Sequence, residues 1–209
     1  MDVFKQSVII DIDGTLYDKF SRDDRNIIFK LFEKNTIVRL IDKFLWSINS
    51  LDFISNPMHT LKIRLKIYSM FSFKRYEKIE KEYKHRYQRM LRLDLESKEK
   101  ALKEIDETYN IILVTSNIYA MTILYKYSNY DIIYSADVTS RRKQIKEYDY
   151  YGNISYIIGN NYTDDIYLAK KLNVPSIYVG DSIFKKKFKA DFNVLSFNDV
   201  IAILENNNK

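Results

Sequence analysis

The sequence predicts an α/β fold: a three-layer core on a parallel sheet, interrupted near its start by an all-helical insertion. Three observations lead there. From residue 110 onwards, unbroken apolar runs of strand length alternate with helical patterns, as parallel strands covered on both faces require. Gly14, Gly159 and Gly180, three of the chain's four glycines, fall just past the end of an apolar run, where backbone turns or approaches a ligand. The stretch from Leu16 to about Leu95 has no glycine and one proline, Pro57, and repeats its apolar residues at helical spacing.

The elements follow in order. Val8, Ile9 and Ile10 make a buried first strand over 7–10. In the insertion, Ile27, Ile28, Leu31 and Phe32 share one helical face, and Ile37, Leu40, Ile41, Phe44, Leu45 and Ile48 a second. Leu61, Ile63, Leu65 and Ile67 alternate with basic residues like a strand, yet Leu61, Leu65 and Tyr68 also share a helical face, and helix is the expectation. Tyr76, Ile79, Tyr83, Tyr87, Met90 and Leu91 mark a long amphipathic helix. Then come a strand over 111–114, a helix over 118–127, a strand over 131–134 and a charged helix over 140–150. A strand over 155–158, a helix over 165–172 and a strand over 175–180 precede a short edge strand within 190–195 and a closing helix over 197–204. The architecture is Rossmann-like, and ligands of such sheets bind beyond the carboxyl ends of the strands.

Composition narrows the chemistry. A chain of 209 residues, 46% of them hydrophobic, can bury a core as one domain with a large insertion. Cysteine is absent, which removes disulfides, thiolate nucleophiles and thiolate zinc sites. The two histidines, His59 and His85, lie away from the motif-bearing segments, which disfavours a Ser-His-Asp relay or a His-rich metal site. Carboxylates, hydroxyls, amides and lysines remain, a set suited to phosphoryl transfer. No apolar run approaches the roughly 18 residues of a spanning helix. No membrane partner and a cytoplasmic setting are therefore expected. The net charge of +6 attracts anions in general.

The most informative segment is Asp11-Ile12-Asp13-Gly14-Thr15-Leu16, directly after the first strand. Carboxylates at i and i+2 of a strand point the same way. Two like charges that close are costly unless a cation or a catalytic task holds them. The segment resembles the first motif, Asp-x-Asp-Gly-Thr, of the haloacid dehalogenase-like (HAD) superfamily, most of whose members are magnesium-dependent phosphohydrolases. The resemblance covers 7–18 and 110–204. It implies an α/β core over 1–17 and 96–209 with a helical C1-type cap over 18–95, and a bound Mg2+.

Residue by residue, the resemblance implies a site. Asp11 would be the nucleophile, forming an aspartyl-phosphate, and Asp13 the general acid and base. Metal-independent dehalogenases of the superfamily lack the second Asp, so phosphate chemistry is preferred. The second motif falls on Thr115, with Ser116 as fallback, donating to a phosphoryl oxygen. Gly14, Thr15, Ser116 and Asn117 would line the substrate phosphate. The third motif needs a cation, and Lys143 is chosen from a basic cluster that includes Arg141, Arg142 and Lys146. The fourth motif, commonly Gly-Asp and a later Asp, reads here Gly159-Asn160-Asn161-Tyr162-Thr163-Asp164-Asp165. Asn160 replaces the first acid, and either Asp164 or Asp165 supplies the later one. The metal set implied is Asp11, Asp13, Asn160 and one of Asp164 and Asp165, with one negative charge fewer than usual and weaker magnesium binding.

Between residues 61 and 93 lie eleven Lys or Arg and three Glu. If the cap face that bears the tyrosines among them looks onto the motif-bearing domain, it would suit a small phosphate ester with further anionic groups or a ring, such as a nucleotide or sugar phosphate. If they pack inward, the charges are a solvated face. A degenerate, non-catalytic member is the alternative that Asn160 raises. Nucleic-acid binding or end-processing is disfavoured for want of any recognisable binding signature, and haloacid dehalogenation by Asp13.

Overall fold

The computed structural model describes residues 5–16, 27–28, 30–50, 61–115, 118–127, 129–134, 153–180 and 189–206, without the side chains at 13, 46–50, 61–62, 118, 126–127, 134 and 163–164. The charged helix expected over 140–150 lies outside the described residues.

Six strands form one parallel sheet: β1 (Ser7–Asp11), β2 (Asn110–Thr115), β3 (Asp131–Tyr134), β4 (Ile154–Gly159), β5 (Ser176–Val179) and β6 (Phe192–Val194). Their order is β3-β2-β1-β4-β5-β6, so the first strand lies at the centre. It pairs with β2 through Asp11↔Val114 and with β4 through Ile10↔Ile158. Helices α1 (Thr36–Ser50), α2 (Leu61–Ser72), α3 (Tyr76–Thr108), α4 (Ile118–Tyr127), α5 (Tyr167–Leu172) and α6 (Val200–Asn206) complete the described fold.

Alternation along the central strands sorts their side chains between two cores. Val8, Ile10, Ile111, Leu113, Tyr156 and Ile158 face the larger one, with α3, α4 and α6. Ile9, Ile112, Val114 and Ile157 face a smaller one, with Leu168 and Ala169 of α5. A sheet covered on both sides is the arrangement that unbroken apolar strands require.

The ambiguous segment after Leu61 is helical, since Leu65 and Tyr68 are fully buried on one face while Lys66 is exposed. The long helix extends further than its apolar stripe suggests: α3 has 33 residues, and Ala101, Leu102 and Ile105 continue the buried line of Ile79, Tyr83, Tyr87, Leu91 and Leu95. Three (i, i+4) ion pairs along its second half, Arg92–Glu96, Lys100–Glu104 and Glu99–Lys103, support it on the solvent side.

α1 and α2 form an antiparallel pair. Arg64 meets Asp42 at 2.9 Å, and the Tyr68 hydroxyl donates to the same Asp42 oxygen at 2.5 Å. One end of the pair closes where Asn35 Nδ2 donates to the Phe71 carbonyl and Lys74 to the Leu31 carbonyl. Burial is the main influence that pushes the Tyr68 phenol well above its ordinary pKa, with Asp42 adding to it, so the hydroxyl stays a donor. At the far edge of the sheet Asp191 accepts from the Ser176 amide at 2.9 Å and its hydroxyl at 2.6 Å, and meets Lys170 at 3.3 Å. Burial works to raise the Asp191 pKa, but these donors outweigh it and hold the carboxyl below its ordinary value.

Two outcomes follow for stability. Arg64→Ala strands a buried carboxylate and should lower the unfolding free energy by about 3–5 kcal/mol, whereas Asp42→Leu with Arg64→Met should lose much less; equal losses in urea titrations would mean the pair is not a desolvated ion pair. A depressed carboxyl pKa stabilises the fold above the unfolded-state value and ceases to as pH falls through the folded-state one. Asp191→Asn should therefore lower the urea midpoint at pH 7, and the gap from the parent should close in acid; a gap that persists at every pH would show that charge is not what Asp191 contributes.

Candidate active site

Parallel pairing brings the carboxyl ends of β1, β2 and β4 to one edge of the sheet. Asp11 is the last residue of β1, Thr115 of β2 and Gly159 of β4. The register sets Thr115 one residue beyond the partner of Asp11, and Gly159 level with Asp11 on the other side. Asp11 is 8% exposed and Thr115 fully buried.

A wide π-helical turn, Ile12–Leu16, follows β1 and carries Thr15 back over the strand end. Its hydroxyl donates to Asp11 Oδ2 at 3.1 Å, fixing the carboxylate's orientation. The turn depends on Gly14, which has φ +96°. A side chain there would also strike Asn160, whose Nδ2 lies 1.9 Å from where a Cβ would stand. The Asn160 amide is thus packed against the turn that follows β1, at the residue next to Asp13.

A second π-helical turn, Tyr162–Ile166, follows β4. Asp165 is 1% exposed, and its Oδ2 accepts the Asn161 amide at 3.1 Å while its own amide donates to the Asn161 carbonyl at 2.9 Å. The carboxyl lies directly on Gly159, where a Cβ would fall 2.2 Å from Oδ2. Asp165 therefore ties its own loop together. Tyr162 stacks on Tyr178 with ring centroids 4.3 Å apart and donates to Asn193 at 3.3 Å, pinning the same loop to β5 and β6.

The structure thus brings Asp11, Gly14, Thr15, Thr115 and Asn160 to one sheet edge, with Asp165 against Gly159 behind Asn160. Ser116, Asn117 and Lys143 lie outside the described residues, as do the side chains of Asp13 and Asp164. Among the described residues no three His, Cys, Asp or Glu side chains gather closely enough to hold a metal. The Asp11 carboxylate and the Asn160 amide oxygen are hard oxygen donors of the kind magnesium takes, so the chemistry of the set fits that ion.

Two residues that sequence reasoning did not single out bear on this edge. Tyr119, in the first turn of α4 after β2, donates to Glu80 of α3 at 2.5 Å and packs against Tyr83 at 5.8 Å. Burial first, then Glu80, pushes the Tyr119 phenol far up, and the same causes raise Tyr76 to about 12. Neither phenol exchanges a proton near neutral pH. Nothing in the sequence pairs residue 80 with residue 119. Of the tyrosines on this helix, Tyr83 and Tyr87 are 0% and 1% exposed and stack on each other inside the fold, so these two pack inward and present no ring to a substrate. The exposed line on α3 is instead Lys78, Lys81, His85, Arg89 and Arg92.

Gly159→Ala should force the Asp165 carboxyl off the strand end and lower the unfolding free energy by about 1–3 kcal/mol. An unchanged urea midpoint would mean that the loop accommodates the methyl group without loss.

No family model matches the sequence, and no curated protein matches it. Solved structures do match in shape over nearly the whole chain. A Bacillus subtilis protein, YfnB, assigned as a HAD-hydrolase and bound to magnesium, superposes with a TM-score of 0.65 at 15% identity, covering 97% of this chain and 99% of that one. A HAD phosphatase from Thermococcus onnurineus gives 0.60 at 18% identity, covering 95% and 97%. A 2-haloacid dehalogenase from Pseudomonas syringae gives 0.58 at 12% identity, covering 97% and 99%. With the central β1, the flanking β2 and β4 and the glycine turn at their carboxyl edge, these likenesses show that the chain has the haloacid dehalogenase-like fold.

Proposed function

We propose that this protein is a magnesium-dependent phosphomonoesterase that acts through an aspartyl-phosphate on a small soluble phosphate ester. One observation carries the reading. A buried carboxylate, Asp11, stands at the carboxyl end of the central strand, oriented by Thr15 and flanked by the ends of β2 and β4. A buried carboxylate delivered to the carboxyl edge of a central parallel strand, where ligands of such sheets bind, is placed for chemistry on a bound group. The likeness to a HAD phosphatase and to a magnesium-bound HAD-hydrolase supports the same class.

In this mechanism an Asp11 carboxylate oxygen attacks phosphorus, and the bond from phosphorus to the ester oxygen breaks. Asp13 gives its proton to that oxygen and the alcohol leaves. Asp13 then takes a proton from water, whose oxygen attacks the phosphoryl group, releasing inorganic phosphate and restoring Asp11. Thr115 donates a hydrogen bond to an equatorial oxygen, with Ser116 and Asn117 beside it, and Lys143 offsets charge between nucleophile and phosphate. Gly14 and Thr15 leave backbone close to the phosphate. Magnesium, when bound, would neutralise phosphoryl charge, held by Asp11, Asp13, Asn160 and Asp164. Asp165 is given the loop-tying role in preference to a ligand's, because its Oδ2 already accepts from Asn161.

The helical segment 18–95 acts in this reading as a cap over the strand ends. Its helix α3 continues into the core, so cap and core share one element.

Hydrolysis of an aryl phosphate should require magnesium and stop with chelator. Asp11→Asn should abolish turnover, with a loss of roughly 10³-fold or more, and Asp13→Asn should impair leaving-group departure most for poor leaving groups. Activity that survives Asp11→Asn would remove the nucleophile assignment. Inactivity of the folded parent on every phosphate ester would favour the non-catalytic reading that Asn160 raises. Asn160→Asp should lower the magnesium concentration for half-maximal rate; an unchanged requirement would place Asn160 away from the ion.

A further inference from the structure

α1 turns three large apolar residues to solvent. Ile37, Leu40 and Phe44 are 56%, 61% and 63% exposed, and their i, i+3, i+7 spacing sets them on one stripe. The opposite side of the same helix, with Val38 and Asp42, is buried against the fold. At the end of α2, Met70, Phe71 and Phe73 are 73%, 45% and 96% exposed. The bond from Asn35 to the Phe71 carbonyl joins that end to the start of α1, so the second group lies beside the end of α1 from which the stripe begins. Phe73 stands at the tip of the connection to α3, in the left-handed region at φ +56°, an uncommon conformation for a bulky residue.

The charge around this apolar surface is one-sided. Residues 30–45 and 63–75 carry four Lys or Arg each, against Glu33 and Asp42 alone; Asp42 and Arg64 pair internally, which leaves seven basic residues against Glu33. Lys74 and Arg75 directly follow Phe73. We infer that the α1–α2 pair docks this protein on an anionic lipid surface, Phe73 and the α1 stripe entering the headgroup layer and the basic residues meeting lipid phosphates. An apolar residue almost wholly exposed in a connecting turn suits a deformable medium, whereas a folded partner would need a matching pocket. A second copy of the chain would set basic rim against basic rim. Attachment of this kind needs aromatic and aliphatic side chains beside Lys and Arg, not a spanning helix. No described helix is long and apolar enough to cross a membrane. The sequence-based expectation of no membrane partner rested on that criterion, which does not test for a surface of this type.

The test is co-sedimentation of the full chain with vesicles of phosphatidylcholine alone and of phosphatidylcholine with 30% phosphatidylserine. Binding should require the anionic lipid and weaken as salt rises. Phe73→Ser and Leu40→Ser with Phe44→Ser should each reduce partitioning roughly tenfold or more, and Lys74→Ala with Arg75→Ala by a similar factor. All these positions are exposed except for the contacts of Lys74, and circular dichroism and thermal melts verify folding. Equal binding to both vesicle types, no binding, or binding indifferent to Phe73→Ser overturns the inference. A concentration-dependent dimer in sedimentation velocity that Leu40→Ser with Phe44→Ser abolishes, without vesicle binding, assigns the face to a second copy instead. None of these readouts depends on hydrolysis, so the phosphatase reading stands or falls separately.

Discussion

Parallel pairing of β1 with a strand on each side is the constraint from which the rest of the molecule follows. It places three carboxyl ends together and leaves their final residues without a further strand partner ahead of them. Any side chain delivered by β1 at its end is then surrounded by backbone from β2 and β4, half shielded from water and within reach of two following loops. A carboxylate in that position costs desolvation unless groups converge on it. The Thr15 hydroxyl is one such group. The glycines at 14 and 159 serve the same end by omission: they vacate the space into which Asn160 and Asp165 fit.

The two π-helical turns after β1 and β4 do related work. Each spends an extra residue per turn to bring a polar side chain back over the strand it has just left, Thr15 in one case and Asp165 in the other. Such turns are locally less favourable than α-helix and persist where surrounding contacts hold them. Here the contacts are side chain to strand end in the first turn, and side chain to loop amide in the second.

The strands were legible because burial on both faces writes itself as unbroken apolar runs, and the helix α1 because its periodicity is clean. The Asp11 segment was legible because a charged residue ending an apolar strand has few structural explanations. Other features were not. The second half of α3 is stabilised by ion pairs and by a sparse line of Ala101, Leu102 and Ile105, which leaves a weak apolar period. The bond from Tyr119 to Glu80 joins residues 39 positions apart through the fold, which no local pattern encodes. The tyrosines of α3 could not be assigned a direction until the partners on α4 were in place. The role of Asp165 depends on an amide four residues earlier in a turn whose type was not foreseeable from Asn-Asn-Tyr-Thr-Asp-Asp.

The unbroken course of α3 has a consequence for how this protein can change its length. The helix meets Tyr119 through Glu80 early in its run and approaches Asn198 through Lys98 later. Each residue inserted or deleted between those points would rotate one end against the other by about 100°. The buried stripe from Ile79 to Ile105 would then fall out of phase with one of its two surroundings. Natural variation along this helix is accordingly expected as substitution, with gain or loss of chain confined to the connections at its ends or arriving in steps of near-whole turns.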